Sequence, residues 1–321
     1  MQVLGHTLPT SWGRSAKTAG RVVVRSLATA TARWRVAPDV VIIGTKRGGT
    51  TSLFRDLERH PAMLPLVPSA ARLPLRENMK GVHYFDSDLD RSLAWYRGHF
   101  VTRRTADRRL AAVGDSFTAE ASPYYLFHPL AAERAARMLP ADTLYVALLR
   151  DPVERTVSHW SEQTRNGVET LTLRDALAAE DQRVGDDGER LRRGEIAASH
   201  AHEQQSYAAQ SHYAGSLRRW FDQVGRHNVL VLFSEDYYAA PDTTIGAITD
   251  RIGVDPIASD VGEHRNAAPR ASVLDDDLEA ALVERFRDDV ADLTTLLGVT
   301  PPWPRFDGRV KTTPAVSRDD R

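Results

Sequence analysis

The sequence predicts an α/β fold of three layers, in which a central parallel sheet is flanked by helices. Three short apolar runs rich in Val, Ile and Leu predict buried strands, and they occupy residues 40–43, 143–149 and 229–233. Helical patterns follow these runs along the chain. Strands that alternate with helices in this way are typical of a parallel sheet.

Composition excludes several classes of protein. The 321-residue chain has 42% hydrophobic and 26% charged residues, as expected of a globular protein with one large core or two modest ones. A net charge of −1 argues against general nucleic-acid binding. The absence of cysteine excludes disulfides, thiolate catalysis and cysteine-ligated metals, and it favours a reducing compartment, so we predict a cytoplasmic location. No apolar run approaches the roughly 18 residues of a membrane-spanning helix.

The N-terminal part of the chain is basic, because residues 1–38 contain no acidic residue. A helical face in this part could make peripheral contact with an anionic membrane surface. The alternative is a basic surface helix packed beside the domain, or a partly ordered tail. The residues of that face are spaced three, four and four apart, and they are Arg14, Lys17, Arg21 and Arg25.

We expect the basic extension to be followed by a single domain over residues 39–304 and a polar tail over residues 305–321 that frays. Within the domain, residues 171–205 are charged and helical with few large apolar side chains. This segment is interpreted as a solvated insertion, and the alternative is a lid over a ligand.

The stretch from Val40 to Leu53 is predicted to form a strand, a loop and the start of a helix. Glycines let backbone N–H groups turn toward a ligand, and the helix N-terminus adds a partial positive charge. The loop therefore predicts a phosphate site in a P-loop-like fold. Its candidate ligands are Lys46, Arg47, Gly48, Gly49, Thr50, Thr51 and Ser52.

This loop differs from that of nucleoside triphosphatases at one position. Thr50 stands where the P-loop lysine that grips the β- and γ-phosphates would be required. The basic residues precede the glycine pair instead of following it. This order disfavours ATP hydrolysis, but it is compatible with binding a phosphate group of another nucleotide. The alternative is a basic turn that binds nothing.

A second phosphate site is predicted after the apolar run at 143–149. Asp151 as N-cap and Pro152 at the first helical position start a helix, which places Arg150 at the carboxyl end of a strand. Ligands of open α/β sheets bind at that edge, and Arg155 and Ser158 lie three apart on the following helix. Two guanidiniums and a hydroxyl suit a phosphate. The alternative is local pairing of Arg150 with an acid of its own turn.

Together, these two motifs resemble the sulfotransferases that use 3′-phosphoadenosine 5′-phosphosulfate, and most closely bacterial relatives of the Golgi carbohydrate and heparan-type enzymes. The resemblance implies that the residues from Lys46 to Ser52 hold the donor's 5′-phosphosulfate and that Arg150 and Ser158 contact its 3′-phosphate. Arg265 and Arg270 would lie in a loop that folds over the nucleotide.

The chain departs from the family's pattern at two catalytic positions. The family's loop lysine corresponds to Arg47, with Lys46 one position earlier, so either residue could neutralise the leaving phosphate. The glutamate that serves as base in the heparan-type members is replaced by Gly81. We predict His83 as the base and Glu120 as the second candidate.

The resemblance implies in-line transfer of a sulfuryl group to a hydroxyl of a glycan, a glycolipid or another small molecule, without a metal. We predict that Lys80, Ser122 and Tyr124 bind this acceptor. The alternatives are a P-loop-type nucleotide kinase and a non-catalytic nucleotide-binding protein of the same fold. The sequence does not indicate the oligomeric state.

Overall fold

The computed structural model describes residues 23–67, 80–87, 90–256 and 274–307. Its centre is one five-stranded sheet in which every pair of neighbouring strands is parallel, in the order β2-β3-β1-β4-β5. The strands are β1 Val40–Gly44, β2 Met63–Leu64, β3 Phe117–Ala121, β4 Leu144–Leu149 and β5 Val229–Phe233. The predicted three-layer α/β fold is confirmed.

Helices cover the sheet, and short 3₁₀ turns lie at Ala32–Trp34, Ala209–Ser211, Arg226–Asn228 and Pro304–Phe306. The helices are α1 Thr50–Leu57, α2 Leu93–Arg97, α3 Arg103–Val113, α4 Ala131–Met138, α5 Pro152–Arg165, α6 Leu173–Val184, α7 Asp187–Arg192, α8 Ala214–Val224, α9 Ser234–Ala239, α10 Pro241–Ile252 and α11 Asp276–Leu297.

The central strands are apolar on both faces because helices cover both. All residues of β1 and β4 are buried, as expected for the middle of a parallel sheet. In the register of these strands, Val40 lies beside Ala119 of β3 on one side and Leu144 of β4 on the other. The adjacent strands β1 and β4 therefore end at the same edge, which brings the two predicted phosphate sites together.

The segment at residues 171–205 is packed against the domain. It forms α6 and α7, whose Leu173, Leu177 and Leu191 are buried, and it ends in a π-helical turn at Ala201–Gln205. Gln204 of that turn accepts a hydrogen bond from Lys46, in the predicted phosphate loop after β1.

The described part of the basic extension starts with a helical segment at residues 23–30. It packs near α2, and the Arg25 guanidinium donates to the carbonyl of Val67 at 2.8 Å. Arg14, Lys17 and Arg21 lie outside the described residues. No helix among the described residues is long and apolar enough to cross a membrane.

Candidate functional site

The anion loop, residues 45–49, connects β1 to α1. Gly49 caps the helix with a φ of 91°, a conformation that favours glycine. A Cβ on Gly48 would lie 2.4 Å from the carbonyl oxygen of Leu148, so only glycine fits there. The Ser234 hydroxyl donates to the carbonyls of Gly48 at 2.6 Å and Leu149 at 2.9 Å, which fastens the loop to the end of β4.

The Lys46 side chain turns toward the π-helical turn. Its ammonium donates to Gln204 Oε1 at 2.9 Å, and to the carboxylate and the carbonyl of Glu203 at 3.3 Å each. The ammonium also lies 5.7 Å from the centre of the Tyr124 ring. Burial lowers the pKa of Lys46, and the charge of Glu203 opposes that shift.

The Arg47 side chain links the two predicted phosphate sites. Its Nε donates to Ser158 Oγ at 3.1 Å, and its Nη1 forms an ion pair with Glu162 one turn further along α5. Arg47 has a φ of 71°, which is uncommon for a residue with a side chain. The Ser158 hydroxyl predicted to contact the 3′-phosphate therefore lies beside the predicted 5′-phosphosulfate loop.

Helix α1 begins with three hydroxyl residues that differ in exposure. Thr50 is buried, Thr51 is exposed and Ser52 is half-buried. Lys80, predicted to bind the acceptor, contacts this first turn, because its ammonium donates to Thr51 Oγ1 at 2.5 Å. Burial lowers the pKa of Lys80 to about 8, with the nearby cation Arg47 acting in the same direction and Glu162 opposing.

Arg150 follows β4 and lies next to the anion loop. Its guanidinium donates to the carbonyl of Arg47 at 3.4 Å and to Glu154 at 3.3 Å. The side chain is 31% exposed, so it remains open to a ligand. Arg305, near the end of the described residues, donates to the other Glu154 oxygen at 3.0 Å and to Asp151 at 3.1 Å.

Arg155 does not join this exposed group. It is fully buried under the loop, where it donates to Ser211 Oγ at 2.6 Å, to the carbonyl of Tyr207, and to the carbonyl of Lys46 at 3.4 Å. Burial lowers its pKa to about 10. The prediction that Arg155 and Ser158 together face a phosphate is therefore wrong for Arg155, because its long side chain extends inward and supports the loop backbone.

His83 lies on the loop at residues 80–87 and has a φ of 55°. Its Nδ1 is hydrogen-bonded to Asp86 Oδ2 at 3.0 Å, while the ring is 41% exposed and Asp86 is buried. Burial lowers the pKa of His83, but the hydrogen bond and charge of Asp86 outweigh it, so the net shift is upward. Because Asp86 occupies Nδ1, Nε2 is left as the nitrogen that can exchange a proton with a ligand.

The Glu120 and Ser122 side chains bind the backbone of this loop from the interior of the protein. Ser122 Oγ accepts from the backbone N–H of Val82 at 3.1 Å and of His83 at 2.9 Å, and it donates to Glu120 at 2.7 Å. The fully buried Glu120 carboxylate also accepts from Tyr96 and Tyr125. Burial raises the pKa of Glu120. Both predicted site residues are thus enclosed in the protein.

Gly81 is required by the same packing. A Cβ at this position would lie 2.4 Å from the carbonyl oxygen of Ala121 and 2.9 Å from Ser122 Oγ. The loop backbone runs too close to the end of β3 for a side chain. Tyr124, the remaining predicted acceptor residue, is buried and shares a hydrogen bond of 2.6 Å with His202 Nδ1.

The structure thus brings most predicted site residues to one edge of the sheet, while Arg265 and Arg270 lie outside the described residues. Sequence reasoning missed Glu162, Glu203, Gln204 and Arg305, since each meets its partner across a long stretch of chain. It also missed Asp86, for which the spacing of three from His83 was an available signal. No cluster of potential metal ligands occurs among the described residues.

Comparison with known proteins identifies similar chains. No protein-family model matches. Heparan sulfate glucosamine 3-O-sulfotransferase 3B1 from Homo sapiens is 27% identical over 228 residues, which cover 70% of this chain and 48% of that protein. Heparan sulfate glucosamine 3-O-sulfotransferase 6 from Mus musculus is 33% identical over 125 residues, which cover 39% of this chain and 30% of that protein. The chain thus spans half or less of the curated relatives it matches.

A solved structure of a sulfotransferase from Alicyclobacillus acidocaldarius matches almost over its whole length. It is 26% identical, has a TM-score of 0.56, and covers 82% of this chain and 97% of that chain. The matched relatives and this structure agree with the resemblance carried by the anion loop and the start of α5. The chain is therefore similar to sulfotransferases in sequence and in fold.

Proposed function

We propose that the protein transfers a sulfuryl group from 3′-phosphoadenosine 5′-phosphosulfate to a hydroxyl of a carbohydrate, a glycolipid or another small molecule. One observation carries this proposal, namely the convergence of Lys46, Arg47 and Arg150 at the edge where β1 and β4 end. The Arg47 guanidinium contacts Ser158 of the second site, and Arg150 donates to the Arg47 carbonyl. One ligand with anionic groups at both ends fits this arrangement.

The residues present suit this donor. The backbone N–H groups of the loop and the Thr51 hydroxyl would hold the 5′ end, with Lys46, Arg47 and Lys80 supplying positive charge. Arg150 and Ser158 would hold the 3′-phosphate. When bound, the donor supplies the sulfuryl group and an adenosine bisphosphate as the leaving group.

Chemistry at this site requires charge neutralisation and a proton acceptor. Sulfuryl transfer parallels phosphoryl transfer, since an acceptor oxygen attacks in line while negative charge develops on the leaving oxygen. A sulfuryl group carries less negative charge than a phosphoryl group, so Lys46, Arg47 or Lys80 can stabilise that oxygen. We therefore expect no metal requirement, which stays a prediction.

We assign the proton acceptor to His83. Its Nε2 would take the proton of the acceptor hydroxyl, and Asp86 would stabilise the imidazolium that forms. Glu120 and Ser122 act as positioning residues, because their side chains bind the loop backbone from inside the protein. This assignment places the second base candidate, Glu120, outside the reaction itself.

The two alternative functions, a nucleotide kinase and a non-catalytic nucleotide-binding protein, have less support. A nucleotide kinase would need a P-loop lysine where the chain has Thr50, and the similar proteins reported above are all named as sulfotransferases. A non-catalytic role is tested by measuring whether the protein turns over the donor in the presence of an acceptor. Bacterial origin, cytoplasmic location and peripheral membrane contact through residues 1–38 stay predictions.

The donor site can be tested by the thermal stability of the purified protein with adenosine 3′,5′-bisphosphate or with ATP and Mg²⁺. A ligand at 100 times its dissociation constant stabilises by about 2.7 kcal/mol. We expect stabilisation by the bisphosphate alone, its loss in Arg150→Ala, and its retention in Arg137→Ala, where an exposed arginine pairs with Glu133 of its own helix.

Stabilisation by ATP and Mg²⁺ alone would contradict the proposal and favour a kinase. Stabilisation by neither ligand would contradict nucleotide binding altogether. If the bisphosphate binds, acceptor-dependent release of bisphosphate from the full donor then separates an enzyme from a binding protein. Sugars, glycolipids and aromatic alcohols are the acceptors to compare.

A further inference from the structure

The Lys46 ammonium has no hydrogen left for a ligand in its present arrangement. An ammonium group has three N–H donors. Gln204 Oε1, the Glu203 carboxylate and the Glu203 carbonyl accept all three, at 2.9, 3.3 and 3.3 Å. Any anion that Lys46 binds must therefore replace one of these acceptors.

The three acceptors differ in how firmly they are fixed. The Glu203 carbonyl also accepts from Gln210 Nε2 at 2.8 Å, and Gln204 Oε1 accepts from Gln163 Nε2 at 2.9 Å. The Glu203 carboxylate receives Lys46 and Gln204 on the same oxygen, and no hydrogen bond to its other oxygen occurs among the described residues. It is 26% exposed. The carboxylate is thus the acceptor that can rotate away while the backbone of the turn stays in place.

The segment that carries Glu203 is unusual in itself. Residues Ala201–Gln205 form a π-helical turn, a rare conformation that often occurs at functional sites. The Glu203 carboxylate contacts the Lys46 ammonium, which itself lies 5.7 Å from the centre of the Tyr124 ring. Glu203 therefore lies beside the proposed donor cation and close to a proposed acceptor-binding residue, although it is far from both in sequence.

We infer that Glu203 is an internal counter-anion of the donor site, which holds Lys46 in place and is exchanged for an anionic group of the nucleotide. This inference rests on the proposed function. A carboxylate 3.3 Å from the ammonium competes with any phosphate or sulfonate for the same charge. Glu203 thereby lowers the affinity of the site for the donor and for the product. Without this carboxylate, the Lys46 ammonium would retain the product more tightly.

The test compares the dissociation constant of adenosine 3′,5′-bisphosphate, measured by titration calorimetry, between wild type and Glu203→Gln. Glutamine keeps the size and the hydrogen bonds and removes the charge. We expect about tenfold tighter binding in the variant. The matched control is Glu195→Gln, an exposed glutamate of the same segment that pairs with Arg193, and its affinity should equal that of wild type.

Two further variants separate charge from contact. Gln204→Ala removes the shortest of the three bonds without changing charge, so its effect should be less than twofold. Glu203→Asp withdraws the carboxylate from Lys46, so binding should tighten partly, and it serves if Glu203→Gln does not fold. Equal or weaker binding in Glu203→Gln, or equal tightening in Gln204→Ala, would overturn the inference.

The outcome also distinguishes this inference from the proposed function. If the bisphosphate binds wild type and Glu203→Gln equally, the counter-anion role is wrong while the donor site stands. If neither protein binds the bisphosphate, both the proposed function and the inference that rests on it are contradicted.

Discussion

At the scale of single residues, His83 has the geometry of a positioned base. A φ of 55° is costly for a residue with a side chain, and such strain persists only where the surroundings enforce it. Here Ser122 holds the backbone N–H at 2.9 Å and Asp86 holds the ring at 3.0 Å. These two contacts set both the direction of the ring and the nitrogen that remains open.

The first prediction concerns Asp86→Asn. Asp86 raises the pKa of His83, so removing its charge should lower that pKa. The acid side of the profile of kcat/KM against pH should then move to lower pH, because the His83 imidazole stays neutral down to a lower pH. The maximal rate should fall about tenfold or more, since the ring loses the group that orients it and stabilises its cation.

The measurement for Asp86→Asn is the pH dependence of kcat/KM together with an NMR titration of the His83 ring. Asp107→Asn, on the exposed surface of α3, is the control for a general effect of charge. An unchanged His83 pKa in Asp86→Asn would show that Asp86 does not orient the base.

At the scale of elements, helix α5 supports the anion loop with one side of its first three turns. Arg155 donates to the Lys46 carbonyl, Ser158 accepts from Arg47, and Glu162 pairs with the same guanidinium. Spacings of three and four residues place these groups in a row along the helix. The position of the loop thus depends on the packing of α5, which Asp151 caps by accepting from two backbone N–H groups of the first turn.

The second prediction concerns Arg155→Lys. Lysine keeps the charge but cannot reach the three separate acceptors that the guanidinium bridges, so buried carbonyls lose their donors. We expect a loss of about 2–4 kcal/mol in the free energy of unfolding. Affinity for adenosine 3′,5′-bisphosphate should also fall, because the Lys46 backbone is released.

Denaturant unfolding and calorimetric titration measure the two effects of Arg155→Lys. The control is Arg165→Lys, at the exposed end of the same helix, which should change neither quantity. Normal stability of Arg155→Lys would mean that the loop is held by other contacts.

At the scale of the whole molecule, the last described residues pack against the turn that carries the predicted second phosphate site. Trp303 is buried and donates to Glu235 at 3.1 Å, and Glu235 in turn accepts from the backbone N–H of Asp151 at 3.0 Å. Arg305 contacts Asp151, Glu154 and Glu279. Although residue 305 was expected to start a fraying tail, the folded domain extends through this arginine, which joins α11 to the start of α5.

The third prediction concerns Arg305→Ala. The change leaves buried Asp151 without its cation, so we expect a loss of about 1–3 kcal/mol in stability. Glu154 would then lose one of its cations, pair more strongly with Arg150 and compete more with a phosphate there, so bisphosphate binding should weaken several-fold.

Thermal unfolding with and without the bisphosphate measures both effects of Arg305→Ala. Arg287→Ala, which breaks an exposed pair within α11, is the matched control and should leave nucleotide binding intact. Stabilisation by the bisphosphate equal to that of wild type would show that Arg305 has a structural role only.

The sequence by itself determined three of the five strands, β1, β4 and β5, together with the anion loop and the start of α5. These features are local, because apolar runs, glycine positions and a cap with proline act over a few residues. For the same reason it indicated which cations gather at the edge of the sheet, including Lys46, Arg47 and Arg150.

Only the tertiary structure decided how each of these charges is used. It buried Arg155, placed Lys80 on Thr51, and gave Lys46 and Arg47 their carboxylate partners Glu203 and Glu162. The physical reason is that burial and ion pairing depend on segments far apart in the chain, whose approach is set by packing of the whole domain and leaves no local pattern.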